Sequence, residues 1–269
     1  MADWKTIGNY TELAIYEASL VVWLGILIKR FNGQPPLRFV ERQPVSWEPA
    51  PVCATFLVAF YLPSFLFELS LWLVGPLDQQ SLAAVQWGCA FAVMQIVVIV
   101  VLLRLAGPLR KEDFGCNLSR WRSDALVGAG GFLASYIPVY LVTVLQQFLN
   151  WRGPDDKHVF FKIMEASEDS GAVLWIVGAV VVVAPLAEEL LYRVLLQGFI
   201  QSQLAPWMAI AFSTAIFCFV HGQSDRLPLV PLALILGYIY YRRRSYVSLV
   251  VAHGLFNAMN ITLALMRGA

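Results

Sequence analysis

Charge is what this chain has least of. Only 14% of its 269 residues are charged, against roughly 25% in an ordinary soluble domain. Lys plus Arg (19) nearly cancel Asp plus Glu (18), so there is neither the basic field that nucleic acid needs nor an acidic solvating tail. Nucleic acid is therefore excluded as a partner. Histidine is scarce, with 3 in the whole chain, and the 4 cysteines (Cys53, Cys89, Cys116, Cys218) show no CxxC spacing. That pattern supports neither a disulfide framework nor a thiolate metal site. No internal repeat, low-complexity tract or second soluble domain is visible.

What fills the chain instead is apolar: 59% of all residues are hydrophobic and 13% of all residues are aromatic. A helix needs about 20 residues to cross about 30 Å of hydrocarbon. Read that way, the sequence holds about eight spans, near 11–28, 51–74, 83–105, 125–149, 172–195, 205–221, 227–241 and 245–266, the seventh of them short. The fold class is an all-α, polytopic transmembrane helix bundle, a multi-pass integral membrane protein of the cytoplasmic membrane if the source is prokaryotic. The leading segment MADWKTIGNYTE carries one Lys against two acids and no A-x-A site follows, so the first span reads as a retained helix. Pro63 and Pro138 fall inside spans, where neighbouring helices must satisfy the carbonyls they free. Residues Asn150–Gly171 read as a partly helical surface loop, with His158 solvated in it.

Lys and Arg are distributed unevenly between the two sides. The connections after the first, third, fifth and seventh spans hold 12 of the 19 basic residues, and the opposite side holds 6. By the positive-inside rule the odd connections are cytoplasmic and both termini external.

An ionisable side chain at bilayer depth costs at least about 2.5–3.5 kcal/mol on insertion scales, so each needs a partner or a purpose. Three clusters demand one. APLAEELLYRVLLQG carries Glu188, Glu189 and Arg193; FCFVHG ends a span with His221; VAHGLFNAMN places His253 and Asn257 within the last span. Glu189 and Arg193 are i, i+4, share a helix face and form a structural ion pair. Glu188 is turned about 100° away and can face another helix. His253 and Asn257 are also i, i+4, so two hydrogen-bonding side chains point the same way. Glu12, Glu17, Glu68 and Gln95 are the remaining polar residues of the spans; Glu68 has no assignable role.

EELLYR reads as EExxxR, FCFVH as FxxxH and HGLFN as HxxxN, in that order with helical spans between them. The set resembles the CPBP family of intramembrane glutamic endopeptidases, which includes the type II CAAX prenyl proteases and the bacterial Abi proteins. The resemblance covers roughly residues 120–266, with Val194 standing where the family usually has Gly. It divides the chain into an N-terminal transmembrane region of three spans (1–119) with cytoplasmic connections and a protease-like domain (120–269). It implies hydrolysis of a peptide bond in a membrane-associated protein or peptide, such as C-terminal processing of CAAX type. Glu188 and His221 would activate water, His253 and Asn257 would stabilise the oxyanion, and Glu189 with Arg193 would hold the site. No cofactor and no metal are implied.

Two other readings use the same residues. A zinc hydrolase would take Glu188, His221 and His253 as ligands, although no HExxH is present. A non-enzymatic immunity or scaffold protein would keep its intramembrane charges for structure alone. The spans also pose a geometric problem. With spans at 172–195 and 205–221, untilted helices would leave Glu188 and His221 roughly 18 Å apart in depth. The site then requires strong tilt, or a fifth span that starts within a cavity.

Overall fold

The computed structural model describes residues 3–41, 47–75, 82–151 and 170–267. Among them are eight helices and no strand: α1 (Trp4–Phe31), α2 (Pro49–Val74), α3 (Leu82–Ala106), α4 (Trp121–Phe148), α5 (residues 170–203), α6 (Pro206–Phe219), α7 (Leu229–Arg243) and α8 (Tyr246–Arg267). Six of them, all except α6 and α7, are long and apolar enough to cross a membrane. The chain is therefore a multi-pass integral membrane protein built as a helical bundle. At 14 and 15 residues, α6 and α7 extend only about 21–22 Å, short of a bilayer's hydrocarbon. The sixth and seventh expected spans exist as helices, but they form a short hairpin packed against α5. The surface-loop reading of Asn150–Gly171, with His158, falls mostly on residues 152–169, outside the described residues.

Local sequence sets the helix ends. Asp3 caps α1, its carboxylate accepting the Lys5 N–H at 3.2 Å. Pro49 and Pro206 stand in first turns, where a missing N–H costs nothing. Arg244, at φ +44°, ends α7 in a left-handed turn, and the Ser245 hydroxyl then accepts the Ser248 N–H at 3.2 Å to start α8.

Prolines inside helices explain how these helices join. A proline has no N–H, so a carbonyl one turn back loses its partner, and in hydrocarbon no water can replace it. Pro63 frees the Ala59 carbonyl of α2, which accepts the Gln95 side-chain N–H of α3 at 2.9 Å. Pro138 frees the Ala134 carbonyl of α4, which accepts the Trp23 indole N–H of α1 at 3.1 Å. The partners expected for both prolines are present, and Gln95 has its reason for lying in a membrane.

Helix α5 is the centre. It contains two stretches of wide i→i+5 turns, Gly178–Val183 and Leu190–Gln197, on either side of Ala184–Glu189. Every residue from Leu190 to Gln197 is buried, because α2, α6, α7 and the adjoining turns of α5 enclose that segment. Such wide turns recur at functional sites, and here they bracket the two glutamates. The sequence reading ended this helix at Leu195, whereas it continues to Gln203 and turns directly into α6. That extension removes the depth problem. Glu188 lies as many residues before Gln203 as His221, just past the end of α6, lies after Pro206, which brings the two to the same level.

The basic connections meet at one end of the bundle. The Val40 N–H reaches the Arg242 carbonyl at 2.8 Å, the Tyr246 N–H reaches the Gly115 carbonyl at 3.1 Å, and Arg243 pairs with Asp124 at 2.6 Å. At the other end Arg267 of α8 pairs with Glu12 of α1. Glu68 is exposed on the outer face of α2, near its C-terminal end.

Candidate active site

Glu188 and Glu189 are consecutive, yet their surroundings differ because the helix turns them toward different neighbours. Glu189 and its neighbour Arg193 are fully buried. Arg193 Nε lies 3.4 Å from Glu189 Oε2, the ion pair expected from their spacing. Glu189 Oε1 has a second partner that spacing alone could not reveal: His253 Nδ1 of α8, 2.8 Å away.

The Glu188 side chain is 27% exposed and projects into a cavity of about 330 Å³ lined also by Thr143, His221, Asp225, His253 and Asn257. Its Oε2 lies 3.9 Å from His221 Nε2 and 3.9 Å from His253 Nε2. That oxygen accepts no hydrogen bond from the described residues. A buried carboxylate oxygen left without a donor is costly to folding, and such groups are characteristic of sites where chemistry occurs. Glu188 also lines a second, mainly apolar cavity of about 310 Å³ between α5 and the α2–α3 pair, with Pro63, Gly88 and Gln95 on its wall.

The two histidines are held differently. His221 Nδ1 lies 2.6 Å from the Phe217 carbonyl. A carbonyl only accepts, so this nitrogen carries a proton and Nε2 is the ring nitrogen that faces Glu188. The Phe217 ring packs against both histidines, at 4.6 Å from His221 and 5.9 Å from His253, and the Arg193 guanidinium lies over it at 5.0 Å. Phe217 is the first letter of FxxxH. Polarity alone does not mark it in the sequence, yet it is the common wall of three charged or polar groups.

Asn257 lines the cavity, and its side-chain N–H also donates to the Val180 carbonyl of α5 at 2.8 Å. The cause is again a proline. Pro185 stands five residues after Val180, in a stretch of i→i+5 turns, so that carbonyl has no intrahelical donor. Gly254 allows the approach: a Cβ there would come within 2.8 Å of the Val181 carbonyl. The Asn257 amide has two hydrogens, so one remains for the cavity.

All six residues singled out in the sequence are thus brought together. Glu188, His221, His253 and Asn257 line one cavity, and Glu189 and Arg193 lie behind it. The three positions a zinc ion would need, Glu188, His221 and His253, also converge. Their 3.9 Å separations are wider than the roughly 3.4 Å between ligands of a tetrahedral zinc with bonds of about 2.0–2.1 Å. Among the described residues no group of three or more His, Cys, Asp or Glu side chains is placed to hold a metal ion.

Comparison with known proteins adds one finding. Residues 170–259 match the family model described as type II CAAX prenyl endopeptidase Rce1-like. The matched stretch begins with α5 and ends just past Asn257, so it contains Glu188, Glu189, Arg193, His221, His253 and Asn257, while α1–α4, including Thr143 of the cavity wall, lie outside it. No curated protein and no solved structure matched the chain. From α5 into α8 the chain is thus similar to the Rce1-like type II CAAX prenyl endopeptidase model, over the stretch that holds its EExxxR, FxxxH and HxxxN motifs.

Proposed function

We propose that the protein is an intramembrane endopeptidase of the glutamic type, hydrolysing a peptide bond in a membrane-associated protein or peptide, with CAAX-type C-terminal processing as the class the matched family model suggests. The observation that carries this reading is the position of Glu188 Oε2, unbonded and 3.9 Å from each of two imidazole nitrogens at the wall of a cavity. A separation of that length suits a water held between Glu188 and His221.

In the reaction, His221 Nε2 accepts one hydrogen of that water and orients it, while Glu188 removes the other as the oxygen attacks the carbonyl carbon. Charge then develops on the former carbonyl oxygen. Asn257 offers its second amide hydrogen to it. His253 donates from Nε2 as an imidazolium, its Nδ1–H being held by Glu189. The protonated Glu188 finally gives its proton to the departing amine, and the C–N bond breaks. Apolar walls strengthen each of these interactions.

The same arrangement supports the division of the chain read from its sequence, with 120–269 as the protease-like domain. In this reading 1–119 supplies helices that wall the α5 cavities.

Purified protein should cleave members of a membrane-peptide library, and Glu188→Gln should cleave none. Cleavage by Glu188→Gln at the wild-type rate, or none by a well-folded wild type, would overturn the proposal.

A further inference from the structure

The mechanism above leaves unused a set of polar side chains as buried as any in the bundle. Gln197 and Ser213 are both fully buried, and neither belongs to a recognised motif. They form one chain of hydrogen bonds. Arg193 Nη1 donates to Ser213 Oγ at 2.5 Å, Ser213 Oγ lies 3.5 Å from Gln197 Oε1, and Gln197 Nε2 donates to the Gly237 carbonyl at 2.8 Å.

The direction of each bond follows from chemistry. A guanidinium only donates, so the Ser213 oxygen accepts from Arg193 and its own proton goes to Gln197 Oε1. The Gln197 amide is thereby oriented with its N–H groups toward α7. A side chain at position 237 would press on the same amide, because a Cβ there would lie 3.1 Å from Gln197 Oε1 and 3.0 Å from Ile210 Cγ2. The chain therefore runs from the backbone of α7 through α5 and α6 to Arg193. From there it continues through Glu189 to His253 on α8.

We propose that Ser213 and Gln197 are positioning residues for His253: by fixing the Arg193 guanidinium they hold the Glu189 carboxylate, which sets the direction and protonation of the imidazole that faces Glu188. Glu189 is held from both sides, Oε2 by Arg193 and Oε1 by His253 Nδ1. Freeing Arg193 to turn changes what His253 bonds to. The charged and titratable groups around this imidazole are Glu189, Glu188 and Arg193 of α5, with His221, just past the end of α6, on the other side of Glu188 Oε2. The catalytic part of the inference rests on the protease reading, whereas the coupling to His253 does not.

The test uses full-length protein in detergent with 15N-labelled histidine, since the chain has only 3 histidines to assign. Ser213→Ala should shift the His253 ring-nitrogen resonances and leave those of His221 in place. With a peptide the wild type cleaves, Ser213→Ala should lower kcat about tenfold or more, as loss of a histidine's supporting partner does elsewhere, with KM unchanged. Ser213→Thr, which keeps the hydroxyl, should restore both readouts. Gln197→Met, alone and combined with Ser213→Ala, should give the same shift without a multiplied loss, because the chain acts as a unit. If Ser213→Ala does not fold, Gln197→Met decides alone. Unmoved His253 resonances in a folded variant would overturn the proposal. A wild type that cleaves nothing would overturn the protease reading instead, and the resonances would still decide the coupling.

Discussion

Glu189 holds His253: the carboxylate next to the proposed base lies 2.8 Å from the Nδ1 of a histidine 64 positions later in the chain. The two adjacent glutamates thus have opposite duties, one buried in a network and one facing a cavity.

That division predicts different failures. Arg193→Ala leaves Glu189 with its histidine partner alone, and removing one member of a buried ion pair costs about 3–5 kcal/mol. The monodisperse fraction after purification and the thermal midpoint in detergent should both fall. Glu188→Gln should leave both at wild-type values, and a wild-type yield of Arg193→Ala would reject the structural role.

Asn257→Ala removes one proposed oxyanion donor, a loss of about 10²–10³ in rate where this has been measured, so slow cleavage should remain measurable. It also strands the Val180 carbonyl, which should cost about 1–3 kcal/mol of stability. Glu188→Ala should abolish cleavage, and residual turnover equal to that of Asn257→Ala would contradict the assigned roles.

Trp23 and Pro138 should prove energetically coupled. Trp23→Phe leaves the Ala134 carbonyl without its donor and should destabilise the wild type by about 1–3 kcal/mol. In a Pro138→Ala background the helix regains its own N–H, so the same change should cost measurably less. A double-mutant cycle of thermal midpoints reads the difference, and strict additivity would refute the explanation.

We propose that the end where the α1–α2, α3–α4 and α7–α8 connections meet faces the cytoplasm, because 12 of the 19 basic residues lie in those connections or in the helix turns that flank them. A reporter inserted after Arg244 should read as cytoplasmic and one within 152–169 as external. The opposite pair of signals would reverse the orientation.

Metal content separates glutamic from zinc chemistry. Purified protein should contain no stoichiometric zinc by elemental analysis and should keep its activity through prolonged chelation. Zinc present one-to-one, lost together with activity and restored with it, would make Glu188, His221 and His253 ligands.

Much of this was legible in one dimension, because the membrane penalises polarity so heavily. Low charge and long apolar runs suffice to dictate a helical bundle, since an unpaired backbone group in lipid leaves few alternatives. Glu188, Glu189, Arg193, His221, His253 and Asn257 stood out because each would be expensive there without a purpose. The Glu189–Arg193 pair followed from helical spacing alone.

Tertiary structure decided what depends on which helix lies beside which. Helix α5 continues past Leu195 to Gln203 because its second wide-turned stretch is enclosed by neighbours, and that length brings Glu188 level with His221. Asn257 is drawn to Val180 by a proline on another helix. Ser213 and Gln197 carry no signal in sequence, since a serine or glutamine in an apolar helix acquires meaning only from the partner opposite it. Periodicity reports the face a residue occupies; the identity of the group across the interface is a property of packing.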